Sequence, residues 1–164
     1  MARREAPKED LVRDATAFAT RVELRRSPDD LDWIFVGVRT DGDGSIYFGD
    51  DEFYAFNAKG ELRRALKEGR LYKAEGRGLV AMRRERTDEE SVLASERLSS
   101  DEQDALIQSL SERISALVRA LYDGSMTVAR SAGEAASDKA SVRDWLSQRA
   151  AGPITVAERP HAGG

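Results

Sequence analysis

The chain has 164 residues, of which 40% are hydrophobic and 34% are charged, and its formal net charge is −4. A chain of this length suits one domain with a substantial core, and its composition lies outside the regime of disordered proteins. It contains no cysteine and a single histidine, His161, close to the C-terminus. These counts exclude thiol catalysis, disulfides and thiolate metal sites, and they argue against a Ser-His-Asp triad.

No stretch of the sequence approaches the roughly 18 consecutive apolar residues that a membrane span requires. We therefore expect a soluble, cytoplasmic protein without membrane contact. Residues 1–12 are expected to form a flexible N-terminus, residues 13–152 a single α+β domain, and residues 153–164 a loose C-terminal tail.

Eight runs of the chain have strand character, because they alternate apolar with polar residues or are rich in β-branched and aromatic residues. They are residues 16–25, 32–39, 45–49, 52–58, 61–66, 70–74, 79–86 and 91–98. Short segments with turn residues, such as AKG, KEG and EGRG, separate several of these runs. We predict a curved antiparallel meander sheet of six or seven strands.

A long amphipathic helix is predicted at residues 101–122. Its apolar stripe consists of Leu106, Leu110, Ile114, Leu117 and Leu121. Ser100 and Gln103 have the spacing of a capping box, and Gly124 supplies a left-handed stop. We expect the stripe to cover one face of the sheet, with dimerisation as the alternative.

The C-terminal part of the domain is predicted to contain a loop followed by a short helix. The loop is the Gly/Ala/Ser-rich segment at residues 131–137, and the helix is residues 138–150, ended by Gly152 and Pro153. Val142, Trp145 and Leu146 lie on one side of this helix, so Trp145 is expected to be a core residue.

The stretch "FNAKGELRRALKEGRLYKAEG", residues 56–76, resembles conserved proteins of planctomycete-type bacteria. The resemblance extends over residues 12–122. It implies a bacterial protein, and because no activity is attached to that family it implies no function.

Residues 39–50, RTDGDGSIYFGD, resemble an EF-hand calcium loop in which Asp41, Asp43 and Asp50 would be ligands. Arg39, however, occupies the first ligand position, and the flanking runs have strand character where an EF-hand requires helices. Asp-Gly is also a strong hairpin signal. We therefore predict a hairpin turn and no cofactor, with a weak calcium site as the alternative.

Positive charge is concentrated between residues 59 and 86, where ten basic residues accompany four acidic ones. The predicted polyanion-binding residues in this segment are Arg63, Arg64, Lys73, Arg77, Arg83 and Tyr72. Strand alternation places Arg64 on one face with Leu62 and Leu66, and Arg63 on the other. In this prediction Arg63, Lys73 and Arg83, from three strands, stand together beside Tyr54 or Tyr72.

The function that this pattern favours is non-enzymatic binding of a polyanion, such as single-stranded nucleic acid, or of an acidic protein. A solvated outer sheet face, whose arginines pair with neighbouring acids, is the structural alternative. A structural or protein-interaction subunit stays open as well. A small enzyme that uses Asp50, Asp51 and Glu52 is the least favoured reading, because no histidine, cysteine or catalytic motif accompanies these carboxylates.

Overall fold

The computed structural model describes residues 18–26, 33–39, 41–49, 51–86, 91–133 and 138–158. Among them, residues 18–21, 83–86, 91–95, 130–133 and 138–140 are described by their backbone alone.

The described chain forms nine strands and two helices. In chain order they are β1 Phe18–Arg25, β2 Ile34–Arg39, β3 Gly44–Phe48, β4 Phe53–Phe56, β5 Leu62–Lys67, β6 Arg70–Glu75, β7 Gly78–Arg86, β8 Ser91–Arg97, α1 Ser100–Asp123, β9 Thr127–Gly133 and α2 Asp138–Ala150. The α+β class with an antiparallel sheet is confirmed, and both predicted helices are present. The prediction of six or seven strands is wrong, because one sheet contains nine.

The ninth strand includes residues for which the sequence predicts a loop. β9 contains residues 131–133 of the Gly/Ala/Ser-rich segment and pairs antiparallel with β1, from Leu24 opposite Val128 to Thr20 opposite Gly133. Small residues have low strand propensity, but the edge of β1 offers ladder hydrogen bonds to any backbone. Pairing with a distant strand therefore decides the conformation of this segment.

The strand order is β8-β7-β6-β5-β4-β3-β2-β1-β9, so α1 connects the two opposite edges of the sheet. A helix of 24 residues is about 36 Å long, and eight strand spacings amount to about 38 Å. The helix is therefore long enough to cross the whole sheet. Near its start, Gln103 accepts a hydrogen bond of 2.9 Å from the backbone N–H of Leu79 in β7. Midway along it, Arg113 contacts Glu52, just before β4.

The core lies between the sheet and the two helices. The predicted stripe of α1 is buried and belongs to one apolar cluster with residues from seven strands and α2. The strand residues of this cluster are Val22, Leu24, Val36, Ile46, Tyr54, Phe56, Leu62, Ala65, Ala74 and Leu79. We call the sheet face that carries them the inner face and the opposite one the outer face.

The start of α1 differs by one residue from the predicted cap. Ser99, not Ser100, is the N-cap: its hydroxyl accepts from the Glu102 N–H at 3.1 Å, and the Glu102 carboxylate accepts from the Ser99 N–H at 2.9 Å. The bond from the Ser99 backbone N–H to the Glu102 carboxylate, and after it the Ser99 side chain, lower the pKa of Glu102 below its ordinary value. Gln103 is instead engaged with Leu79. At the other end, Gly124 has a φ of 83° and stops the helix as predicted.

The second helix places its apolar side in the core, with Val142, Trp145 and Leu146 buried. The ring of Trp145 meets Phe56 edge-on, with 5.8 Å between centroids. Beyond this helix, Val156, in the segment predicted as a loose tail, forms an isolated bridge with Leu62 at the start of β5. The N–H of Leu62 donates to the Thr155 carbonyl at 2.8 Å, and Ile154 and Ala157 are buried.

No helix of the described chain has the length and apolar content of a membrane span.

Candidate binding face of the sheet

The DGDG segment is the turn between β2 and β3. The N–H of Arg39 donates to the Asp43 carbonyl at 2.7 Å, and the N–H of Gly42 donates to the Arg39 carbonyl at 3.0 Å. Gly42 has a φ of 95°, which a side chain would strain. The Asp41 carboxylate accepts from the Asp43 N–H at 3.0 Å, as in an Asx turn. The segment thus has the local structure predicted for a hairpin.

The carboxylates of this turn are engaged within the protein. Asp43 forms an ion pair of 2.8 Å with Arg63, and Asp41 lies 3.6 Å from Arg39. Asp50, the third ligand of the calcium alternative, lies outside the described residues. Within the described segments there is no group of three or more acidic or histidine side chains that could hold a metal ion.

The predicted basic residues do not all lie in one row of the sheet. Arg63 is the extra residue where the register between β4 and β5 shifts, and from there it reaches Asp43. Arg77 is in the turn before β7, 3.7 Å from Glu158, with both side chains exposed. Arg83 lies opposite Ala94 in the β7–β8 ladder, and its side chain is among those that the structure does not describe.

The strand register separates Tyr72 from the cations that were expected beside it. On the inner face the row across β4 to β7 runs Tyr54, Ala65, Tyr72, Ala81, whereas on the outer face it runs Ala55, Arg64, Lys73, Val80. Tyr54 and Tyr72 therefore pack with the core. Arg63 does not share the outer-face row of Lys73, because it is the extra residue between β4 and β5 and pairs with Asp43.

The outer face brings together Arg64, Lys73 and Arg97. Arg64 is directly opposite Lys73, and Lys73 is opposite Val80, whose other neighbour is Arg97. We call Arg64, Lys73 and Arg97 the basic row. Among the described residues no carboxylate lies within 4 Å of any of these three side chains. Like charges directly opposite each other destabilise a sheet, so the Arg64–Lys73 pair is a local electrostatic cost.

An aromatic row runs beside the basic row, and sequence reasoning missed it. Phe35, Tyr47 and Phe53 are cross-strand neighbours on the outer face, with ring centroids 5.7 Å and 5.6 Å apart. The guanidinium of Arg64 lies 5.6 Å from the centre of the Phe53 ring. Phe35 is 5% exposed, and the other two rings are half-buried. The signal was present in "EFYAFNA", where alternation sets Phe53 apart from Tyr54 and Phe56.

The carboxylate of Glu52, a member of the acidic group considered for catalysis, joins the sheet to α1. It accepts hydrogen bonds from the Tyr54 hydroxyl and from Arg113, whose guanidinium lies 3.8 Å from the centre of the Phe48 ring. Burial first, and then the bond to Glu52, raise the pKa of Tyr54 well above its ordinary value. Glu52 therefore has a structural role at the point where the helix crosses the sheet.

Comparison with known proteins adds no relative. No family model, curated protein or solved structure matches this chain.

Proposed function

We propose that the protein is a non-enzymatic binding domain whose outer sheet face holds single-stranded nucleic acid. The observation that carries this proposal is the direct opposition of Arg64 and Lys73 across β5 and β6, with no carboxylate of the described residues within 4 Å of either charge and with the Phe53 ring beside Arg64. A polyanion would neutralise this repulsion. Proteins that bind single strands combine such cations with aromatic rings on which bases stack.

The side chains of the basic row and of the aromatic row determine which kind of recognition is expected. Arginine and lysine on a sheet surface contact phosphates, which carry no sequence information. Base stacking on aromatic rings is also tolerant of sequence. Binding is therefore expected to be largely independent of sequence and strongly dependent on salt.

The proposal is tested by fluorescence anisotropy with a labelled single-stranded oligonucleotide. Three phosphate contacts predict a slope of about −2 in log affinity against log salt, or about 20-fold weaker binding at about 200 mM than at about 50 mM salt. The double variant Arg64→Gln, Lys73→Gln should bind more weakly, with a slope of about −0.7. Phe53→Leu should weaken binding by roughly tenfold through lost stacking.

Arg119→Gln is the matched control, because Arg119 is an exposed arginine on α1 and its loss changes the net charge by the same single unit as each basic-row substitution. It should leave the affinity and the salt slope unchanged. Absence of binding at about 50 mM salt, where electrostatic affinity is high, would overturn the proposal. The proposal would also be overturned if the wild type bound no oligonucleotide but captured an acidic protein, and if that capture required Arg64 and Lys73 and survived nuclease treatment.

A further inference from the structure

A cavity of about 240 Å³ lies between the β4–β5 turn, the end of α2 and the segment that follows it. Its polar lining comes from Lys59 in the turn, from Gln148 and Arg149 on α2, and from Thr155 after the helix. Gly60, Gly152 and Pro153 contribute backbone and small surfaces. These residues are far apart in sequence, and the hydrogen bond between Leu62 and the Thr155 carbonyl holds two of the three segments together.

Arg149 is the unusual member of this lining, because it is a buried cation without a counter-charge in the described chain. Its residue is 8% exposed, and no carboxylate of the described chain lies within 4 Å of its guanidinium. One nitrogen, Nη1, donates to the Trp145 carbonyl at 3.3 Å and to the Gln148 side chain at 3.2 Å. The Nε hydrogen is buried without a partner among the described residues. Both neighbours are neutral, so the charge itself is uncompensated there.

The surroundings hold the guanidinium in place and leave one side of it accessible. The Trp145 ring lies 4.1 Å from Cζ of Arg149 and supports it by a cation–π contact. Gly60 faces the guanidinium from the cavity side: a Cβ there would lie 3.9 Å from Cζ. Because Gly60 has no side chain, and adopts a φ of 84° that favours glycine, the approach to the guanidinium stays open.

We propose that this cavity binds a small oxyanion, a phosphate or carboxylate group, with Arg149 and Lys59 as its charge partners. A planar guanidinium matches the oxygens of such groups, and charge-assisted hydrogen bonds to it are strong where water is excluded. An anion would compensate the charge that burial disfavours, and it would offer an acceptor to the Arg149 Nε hydrogen. Burial lowers the pKa of the Arg149 guanidinium, and a bound anion would oppose that shift.

The cavity is below the roughly 300–1,000 Å³ of sites for drug-sized ligands, so the ligand is small or presents only its anionic end. Lys59 and Arg149 are not members of the basic row, and the cavity lies at the end of α2. Loss of oxyanion binding and loss of nucleic-acid binding are therefore independent outcomes.

The test is calorimetric titration of the full chain with sodium phosphate and with sodium acetate, each against sodium chloride at equal ionic strength. Saturable binding of phosphate, of acetate or of both supports the proposal and identifies the anionic group. We expect Arg149→Met to abolish this binding and Lys59→Gln to weaken it by about tenfold. Thermal unfolding should show a matching rise in Tm for the wild type with the anion that binds.

Arg143→Met is the control on the same helix, because Arg143 also lies over an aromatic ring, 4.3 Å from that of Tyr122, and also has a buried Nε without a partner in the described chain. It does not line the cavity, so this variant should bind like the wild type. If Arg149→Met does not fold, Lys59→Gln decides, since Lys59 is exposed. Absence of saturable binding of both anions, or binding that Lys59→Gln leaves unchanged, overturns the proposal.

Discussion

The inner and outer faces of β4, β5 and β6 are built from alternate residues of the same strands, yet their polar groups differ in whether they have a partner of complementary chemistry. On the inner face, Tyr54 is fully buried and its hydroxyl is satisfied by Glu52, which Arg113 of α1 also binds. On the outer face, Arg64 and Lys73 oppose each other, and no carboxylate of the described chain lies within 4 Å of either charge. The inner face is therefore optimised for stability, whereas the outer face retains a repulsion that a ligand could relieve.

The largest effect is expected where α1 packs against the inner face. Leu110 is completely buried in the common core, so Leu110→Ala should lower the free energy of unfolding by about 2–5 kcal/mol. Urea denaturation followed by circular dichroism measures this loss. Arg119→Ala, an exposed truncation on the same helix, should change stability by less than about 0.5 kcal/mol. A Leu110→Ala protein that kept full stability, or only lost a dimer, would contradict the packing of α1 on its own sheet.

A smaller effect is expected where α2 meets the inner face. A Cβ at Gly44 would lie 2.4 Å from Cζ2 of Trp145 and 3.0 Å from the Gly37 carbonyl oxygen. Gly44→Ala should therefore overpack this contact and cost about 1–3 kcal/mol in urea denaturation. Replacing Trp145 by Leu in the same protein should recover part of the loss, because it removes the obstructing ring.

Gly152→Ala is the control for this substitution, since a Cβ added at Gly152 would meet no atom of the described chain within 4 Å, and the φ of this residue is not in the left-handed region. It should leave stability almost unchanged. Equal stability of the two alanine variants would show that Trp145 does not pack closely on β3.

The difference between the two faces was only partly predictable from the sequence. Alternation located the strands and the apolar stripe of α1, because burial on one face imposes a period of two on a strand and 3.6 on a helix. The phase within β5 could not be obtained in this way. Leu62 is on the inner face but Arg64 and Leu66 are on the outer one, because Arg63 is an extra residue opposite β4.

Other errors have the same origin in contacts between distant residues. Ser99 and Ser100 each have a capping-box partner three residues later, and the bond from Leu79 to Gln103 is visible only in the folded chain. The strand at residues 131–133 depends on the edge of β1. The Arg149 cavity had no sequence signal at all, because its lining comes from three separate segments.

The buried Tyr54 hydroxyl predicts a dependence of stability on alkaline pH. Burial raises its pKa in the folded protein, while in the unfolded chain it titrates near its ordinary value of about 10. Its contribution is therefore fully present below about pH 10 and is lost as the pH rises towards the folded-state value, by at most about 1.4 kcal/mol per pH unit. Urea denaturation at pH 9 and pH 11, about one unit below and above the unfolded-state pKa, should show this loss in the wild type.

Tyr54→Phe should remove this part of the alkaline loss, although the variant starts less stable at neutral pH by about 1 kcal/mol because it lacks the bond to Glu52. Tyr122→Phe is the control, because Tyr122 is 63% exposed, and it should retain the alkaline loss of the wild type. An identical decline in the Tyr54 variant would mean that the hydroxyl is not held protonated in the inner face.

The smallest effect is expected on the outer face and gives the sharpest form of the comparison, since it uses two residues adjacent in the chain. Lys73→Gln removes one member of the basic row and should change stability by less than about 0.5 kcal/mol, with any change favourable because it relieves the repulsion with Arg64. Ala74→Gln places a larger polar side chain at an inner-face position that is 3% exposed, and should cost about 1–3 kcal/mol. Urea denaturation of the two variants in parallel measures the contrast. If Lys73→Gln were more destabilising than Ala74→Gln, Lys73 would contribute to the stability of the fold, and this would contradict the proposal that the outer face is a ligand-binding surface.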